Sequence, residues 1–157
     1  MPNMPDFAFN RFELSQYTKL QAQAKELDGR IQEIESELEE LNNYNFSISP
    51  VYTGMPGGNE LRDRIADYII RVDNDRRRLS DSLSFLKTER NAIMYRLYTI
   101  RTAVNRITNS NTQDIIRWYY LDGQSVSEIA AKKYITTHAV YKRINRFLRH
   151  GENIIQE

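Results

Sequence analysis

A stretch of fifty residues without glycine or proline, residues 59–108, constrains the fold of this chain more than any other feature. Apolar residues recur in it at steps of three, four or seven: Leu61, Ile65, Tyr68, Val72, Leu79, Leu83, Leu86, Ile93, Leu97, Ile100, Val104 and Ile107. This spacing predicts an α-helix with one apolar stripe. Such a helix would be roughly 75 Å long. Because a lone helix cannot bury its own stripe, another part of the chain has to cover it.

The covering partner is predicted upstream, in residues 17–41. Their apolar residues alternate in steps of three and four without interruption: Tyr17, Leu20, Ala24, Leu27, Ile31, Ile34, Leu38 and Leu41. This is the pattern by which one helix forms a narrow seam with another in a coiled coil. Residues 44–59 contain two prolines and three glycines, which predict a loop between the two helices.

These two segments predict a long antiparallel helical hairpin that resembles a coiled coil. Their charges favour the pairing weakly, since residues 1–58 hold four basic and nine acidic residues, whereas residues 59–108 hold eleven basic and seven acidic ones. If Leu41 lies opposite Leu61, the second helix extends past the first from about residue 96 onward. The apolar residues of this extension predict a contact with a second subunit or with the C-terminal region.

Residues 73–82 are the weakest part of the second helix, because Leu79 is their one apolar residue. The sequence leaves open whether the helix is continuous here or bends. The same stretch contains three consecutive arginines, Arg76–Arg78, which point in different directions on a helix. That arrangement favours solvent or acidic partners for them over a nucleic-acid contact.

The C-terminal region predicts three short helices. The first covers Asp114–Leu121 and is ended by Gly123, since glycine suits the left-handed residue that follows a helix. The second covers Ser125–Lys133. In it, Ser125 as the N-cap and Glu128 three residues later predict a capping box, in which each residue hydrogen-bonds the backbone of the other.

The third short helix begins at Thr136 or Thr137 and is predicted to bury an apolar stripe: Val140, Ile144, Phe147 and Leu148. Ala130 in the preceding helix lets the two helices approach closely. Residues 134–150 hold four basic residues and no acidic one: Lys142, Arg143, Arg146 and Arg149. Two short helices about four residues apart, the second of them basic, predict a helix-turn-helix.

The chain is therefore predicted to be all-α, with a long hairpin followed by a small three-helix domain. Residues 1–108 form the hairpin, which is expected to mediate oligomerisation and includes the loop at 44–59. Residues 109–150 form the helix-turn-helix domain, and residues 151–157 form a tail.

The C-terminal stretch IIRWYYLDGQSVSEIAAKKYITTHAVYKRINRFLR resembles region four of sigma-70-type factors and the related helix-turn-helix domains of response regulators. The residues that carry the resemblance are Ile115, Ile116, Tyr120, Gly123, Ser125, Glu128, Ile129, Ala130, Thr136, Val140, Arg143, Ile144 and Arg146. The acidic helix, the Met-Pro-Gly-Gly loop and the long basic helix extend the likeness. With them, the chain resembles small phage and prophage regulators of late genes, of the RinA/ArpU type.

This resemblance implies a sequence-specific DNA-binding transcriptional regulator, an activator of phage late genes that acts with the host RNA polymerase. The implied partners are double-stranded DNA and that polymerase. The implied assembly is a homodimer or higher homo-oligomer in the cytoplasm of a bacterial host. The chain has Tyr134 where these families have glycine or asparagine at the turn. Since a tyrosine adopts a positive φ only at a cost, a turn of another type is expected.

In a helix-turn-helix, outward-facing residues near the start of the recognition helix reach base edges in the major groove. The candidates for base reading are Thr137, His138, Tyr141, Lys142 and Asn145. Among them, Asn145 suits adenine and Lys142 suits guanine. The candidates for phosphate contacts are Gln124, Ser125, Thr136, Arg143, Arg146 and Arg149. The sequence equally allows His138 to be a plain surface residue and Tyr141 to be a packing residue.

Catalytic and membrane functions find no support in the sequence. It has no metal-ligand spacing, no phosphate-binding loop and no nucleophile motif, so we expect no enzyme activity, no cofactor and no bound metal. A membrane span is not expected, because no run of about 18 apolar residues occurs. The absence of cysteine suits a reducing cytoplasm. The aromatic run Trp118–Tyr120 would suit stacking on RNA, but packing is favoured in so short an amphipathic helix.

Two other functions stay open. A small terminase-like subunit for DNA packaging also joins a helix-turn-helix to helical oligomerisation segments, and a ring of many copies would distinguish it from a dimeric regulator. A polymerase-binding adaptor would use its region-four-like domain to grip RNA polymerase. Absent or salt-insensitive DNA binding would distinguish the adaptor.

Overall fold

The computed structural model of the chain describes residues 11–43 and 58–150. These residues form six α-helices and one π-helical turn, and they contain no strand: α1 (Arg11–Ser15), α2 (Tyr17–Asn43), α3 (Gly58–Asn105), α4 (Ser110–Ile116), the π-turn (Arg117–Leu121), α5 (Val126–Lys133) and α6 (Thr137–His150). The prediction of an all-α fold is confirmed. Within the described ranges, no helix is both long and apolar enough to cross a membrane.

The long helix α3 runs without a break through residues 73–82. Ion pairs along the helix support this stretch, in which the apolar stripe fades. Arg76 and Arg77 pair with Asp73, and Arg78 pairs with Asp75, at the spacings of three and four residues that place side chains side by side on a helix. The three arginines therefore have the acidic partners that the sequence favoured.

The boundaries of the helices differ in places from the predicted ones. Residues 44–57 of the predicted loop, and the tail 151–157, lie outside the described residues, whereas Gly58 and Asn59 already belong to α3. The first C-terminal helix begins four residues before the predicted Asp114. It does so because Asn109 is its N-cap, with Oδ1 accepting a hydrogen bond from the Thr112 N–H at 3.1 Å. The polar stretch 109–112, whose residues favour helix caps, supplies this N-cap.

The chain divides into two compact units. Of the described residues, 11–25 and 91–150 belong to unit 1, and 26–43 and 58–90 belong to unit 2. The helices α2 and α3 each contribute a segment to both units.

Unit 1 has a well-buried core, to which α1, the start of α2, the end of α3 and all the C-terminal helices contribute. Its central members are Leu14, Tyr17, Leu20, Leu97, Ile100, Val104, Ile107, Ile115, Ile116, Ile129, Val140, Ile144 and Phe147. The apolar end of α3 thus packs against the C-terminal helices. Of the two contacts predicted for this end, the one with the C-terminal region is present. Met94, Tyr95 and Tyr98 of the same segment remain exposed.

Unit 2 is held together by a smaller interface between α2 and α3. Arg90 pairs with Asp28 at 2.5 Å, and Lys87 pairs with Glu35 at 2.7 Å, so the two segments run antiparallel. Extended along both helices, these pairs place Leu41 level with residues 77–81. The predicted pairing of Leu41 with Leu61 is therefore wrong. A seam with an apolar residue every three or four positions fits nearly as well after a shift by several such steps, so the pattern alone does not fix the register.

Candidate nucleic-acid interface

The helix α5 begins with the predicted capping box. The Ser125 hydroxyl oxygen accepts a hydrogen bond from the Glu128 N–H at 3.3 Å, and the Ser125 N–H donates to Glu128 Oε2 at 2.7 Å. The backbone N–H and then the hydroxyl of Ser125 lower the pKa of the Glu128 carboxyl, with a smaller contribution from Lys132. Just before this cap, Gly123 takes the left-handed conformation predicted for it, with φ of 67°.

The turn between α5 and α6 corrects our expectation for Tyr134. This residue adopts φ 54° and ψ 41°, the left-handed conformation usual for glycine or asparagine at this point. Its N–H donates to Ala131 O at 3.3 Å, and the Ile135 N–H donates to Ala130 O at 3.0 Å, which together form a Schellman motif. A non-glycine residue pays about 1–2 kcal/mol for this conformation. The two hydrogen bonds offset that strain, and a side chain that is 96% exposed meets no obstacle.

The last helix, α6, is anchored by its apolar stripe. The Thr136 hydroxyl oxygen accepts from the Ala139 N–H at 3.2 Å and so caps the start of the helix. Val140, Ile144 and Phe147 are buried, and the helix packs against α4 and α5. This confirms the predicted stripe, except that Leu148 is only partly buried.

Outside this stripe, the exposed surface of α6 is basic. Its four cations, Lys142, Arg143, Arg146 and Arg149, are all exposed, and the helix contains no acidic residue. None of them forms an ion pair with any of the residues that the structure describes. Successive residues turn by about 100° around a helix, so Lys142 and Arg149 lie almost opposite Val140. The fold thus holds an uncompensated positive face in a fixed orientation.

The candidates for base reading are not all equally placed. Thr137, His138, Tyr141 and Lys142 are exposed in the first half of α6, as a base-reading role requires. Asn145 is different: it is half-buried, and its Oδ1 accepts a hydrogen bond of 2.6 Å from Arg11 Nη2.

The candidates for phosphate contacts at the helix starts have structural partners. Gln124 is half-buried and accepts a hydrogen bond from Lys132 Nζ at 2.8 Å. The hydroxyls of Ser125 and Thr136 are exposed, but each caps a helix. The exposed arginines Arg143, Arg146 and Arg149 have no such engagement with the described residues, so they are the better placed candidates.

The aromatic run at the π-turn packs within unit 1, as the sequence favoured. Tyr120 is buried, and Trp118 and Tyr119 lie partly buried against the core. The ammonium groups of Lys132 and Lys133 lie 5.2 and 5.1 Å from the centre of the Trp118 ring, at cation–π distance. Lys133 also pairs with Asp114 at 2.6 Å. These contacts leave the ring of Trp118 covered by two lysines.

No pattern in the sequence indicates that Arg11 belongs to this surface. It lies 134 residues before Asn145, on a five-residue helix that no periodic pattern predicts. Among the described residues, no group of three or more histidines or carboxylates is positioned to bind a metal ion. Comparison with known proteins found no family, no characterised protein and no solved structure that matches this chain. The chemistry of the α6 surface is therefore the main guide to function.

Proposed function

We propose that this chain is a sequence-specific DNA-binding transcriptional regulator. In this proposal α5, the turn at Tyr134 and α6 act as a helix-turn-helix, and α6 enters the major groove, which has the width to admit an α-helix. The observation that carries the proposal is the exposed face of α6, with four cations, no acidic residue and no ion pair to a described residue. A surface of this kind suits a polyanion, because binding would release the counterions condensed on the phosphates.

The roles of individual residues follow from their places on α6. Thr137, His138, Tyr141 and Lys142 are exposed near the start of the helix and are proposed to meet base edges, with Lys142 suited to guanine. Arg143, Arg146 and Arg149 are proposed to bind phosphates on either side of the groove. Base contacts would select the sequence, whereas phosphate contacts would supply most of the affinity.

The regulatory part of the proposal rests on the resemblance to region four of sigma-70-type factors and to phage late-gene regulators. It supports an activator that works with the host RNA polymerase in the bacterial cytoplasm, as a homodimer or higher homo-oligomer. The apolar stripe at the end of α3 is covered by the C-terminal helices, so this stripe is not the surface for self-association.

The proposal is tested by duplex selection followed by binding measurements. Full-length protein is used to select duplexes from a random-sequence pool, and the affinity for a selected duplex is measured by fluorescence anisotropy over a range of salt concentrations. We expect the double variant Lys142→Gln/Arg146→Gln to bind at least about tenfold more weakly near 0.1 M salt. The slope of log affinity against log salt should fall by about one, because Arg146 is the proposed phosphate contact of the two.

A matched control removes the same charge from α3. Arg77 and Arg78 pair with Asp73 and Asp75, so Arg77→Gln/Arg78→Gln should leave DNA binding close to that of the wild type. Equal losses in both double variants would show only a dependence on net charge. Failure of the wild type to select or bind any duplex would contradict the proposal, and capture of RNA polymerase by such a protein would favour the adaptor instead.

A further inference from the structure

The surface of α6 is joined by a residue from the start of the described chain. Arg11 of α1 donates from Nη2 to Asn145 Oδ1 at 2.6 Å. Its guanidinium also hydrogen-bonds the Tyr120 side chain, and it opposes the rise in the pKa of that phenol, which burial causes. Arg11, Tyr120 and Asn145 all belong to unit 1, so this contact is part of one compact body.

Among the described residues, Arg11 has no acidic partner. Both of its hydrogen-bond partners are neutral side chains. On α6, the residues three and four positions from Asn145 are its neighbours on the helix surface, and two of them are the cations Lys142 and Arg149. The acidic residue of α1, Glu13, pairs instead with Arg96, at 3.6 Å. The fold thus adds a fifth cation to a helix surface whose described residues already include four cations and no acid.

We propose that Arg11 contacts a DNA phosphate, so that the DNA-binding surface is assembled from α1 and α6. This inference rests on the proposed function. Like charges held together repel each other, and a phosphate backbone lying on α6 supplies the anions that this face lacks. A guanidinium has five N–H donors, and Asn145 and Tyr120 use only some of them. The exposed remainder suits the oxygens of a phosphate, which arginine binds with two parallel hydrogen bonds.

The same geometry changes the role of Asn145. Its carbonyl oxygen, which would be needed for a paired contact with adenine, is engaged by Arg11. Asn145 is therefore a positioning residue: it holds the guanidinium of Arg11 at the edge of the α6 face. Base reading is left to the exposed residues nearer the start of the helix.

The test is a salt titration with the full chain and a fluorescently labelled DNA duplex of mixed sequence. We expect Arg11→Gln to weaken binding by about five- to tenfold near 0.1 M salt and to lower the slope of log affinity against log salt by about 0.9. Arg11→Lys keeps the charge and should keep the slope. Asn145→Ala should weaken binding less and leave the slope unchanged, because the charge of Arg11 remains.

Controls separate a lost contact from a lost fold. Lys19→Gln removes an exposed cation from α2 and should bind as the wild type does. The fluorescence of Trp118, the one tryptophan of the chain, checks that unit 1 is intact in each variant. If Arg11→Gln binds DNA as tightly as the wild type, or more tightly because Arg11 masks α6, the inference is overturned while the proposed function stands. If the wild type binds no duplex, both fail.

Discussion

Units 1 and 2 are built on segments of the same two long helices, yet they bury those segments to very different degrees. In unit 1, Ile100 and Val104 of α3 are 1% and 0% exposed. In unit 2, the stripe residues Ile65, Tyr68 and Val72 of the same helix are only half-buried, and with Leu41 they line a groove of about 690 Å³. Ile69 and Ile70, beside the stripe, are 60% and 57% exposed. The apolar spacing along α3 does not distinguish the two regions.

The difference lies in how many helices surround α3. In unit 1, the helix is covered by α1, α2 and the C-terminal helices, which enclose a core. Among the described residues of unit 2, only α2 is present to cover it, and one helix shields only a narrow stripe of another. A regular apolar spacing therefore predicts a helix. The number of other helices packed around that helix decides how much of its apolar surface is buried and how much it stabilises the fold. The candidate DNA surface lies on the better packed unit.

The largest expected effect comes from a pair of substitutions, one in each unit, that tests this contrast directly. Ile100→Ala should lower the free energy of unfolding of unit 1 by about 3 kcal/mol, because it leaves a cavity in a closed core. Ile69→Ala makes the same chemical change on the same helix, but it should cost less than about 1 kcal/mol, because that side chain is mostly in solvent. Urea unfolding followed by Trp118 fluorescence and by circular dichroism measures both. Similar costs for the two variants would break the comparison.

A smaller effect is expected at the start of α5. Ser125→Ala should destabilise unit 1 by about 1 kcal/mol, because it removes the N-cap of a short helix. Ser127→Ala alters an exposed serine within the same helix and serves as the control, with little expected change. Thermal unfolding of both variants at neutral pH makes the measurement. Equal shifts in melting temperature would show that the cap adds nothing beyond helix propensity.

The stability of Ser125→Ala should also depend on pH less steeply than the stability of the wild type does. Hydrogen bonds from Ser125 lower the pKa of Glu128 in the folded protein. A carboxyl with a lowered folded pKa stabilises the fold above its ordinary pKa, and this contribution is lost as the pH falls through the folded value. The wild type should therefore lose stability in acid more steeply than Ser125→Ala, which lacks the hydroxyl that donates to the carboxylate. Parallel profiles would contradict the role assigned to this hydrogen bond.

The smallest expected effect concerns the strained turn. Tyr134→Gly should stabilise unit 1 by about 0.5 kcal/mol, since relief of the left-handed strain exceeds the extra entropy that glycine has in the unfolded chain. Tyr134→Ala keeps a Cβ atom and should bring no such gain. Chemical unfolding monitored by Trp118 fluorescence distinguishes them. A loss of stability in the glycine variant would mean that the tyrosine ring makes a stabilising contact despite its exposure.

Much of the local structure was predictable, because its causes are local. The spacing of apolar residues predicted α2, α3 and the buried stripe of α6, and Ser125 with Glu128 predicted the capping box. Gly123 was predicted to end a helix with a positive φ, and it does. Each of these features depends on residues within a few positions of one another. Such residues come into contact whenever that segment forms a helix, whatever the rest of the fold.

What the sequence by itself determined is therefore the set of helices and the faces that they bury. Only the tertiary structure decided which faces meet. It set the register of α2 against α3 in unit 2, covered the end of α3 in unit 1, held Tyr134 in a left-handed turn and placed Arg11 beside Asn145. The physical reason is that a repeating apolar pattern accepts several pairings of nearly equal energy. The choice among them comes from many weak contacts between residues far apart in the chain.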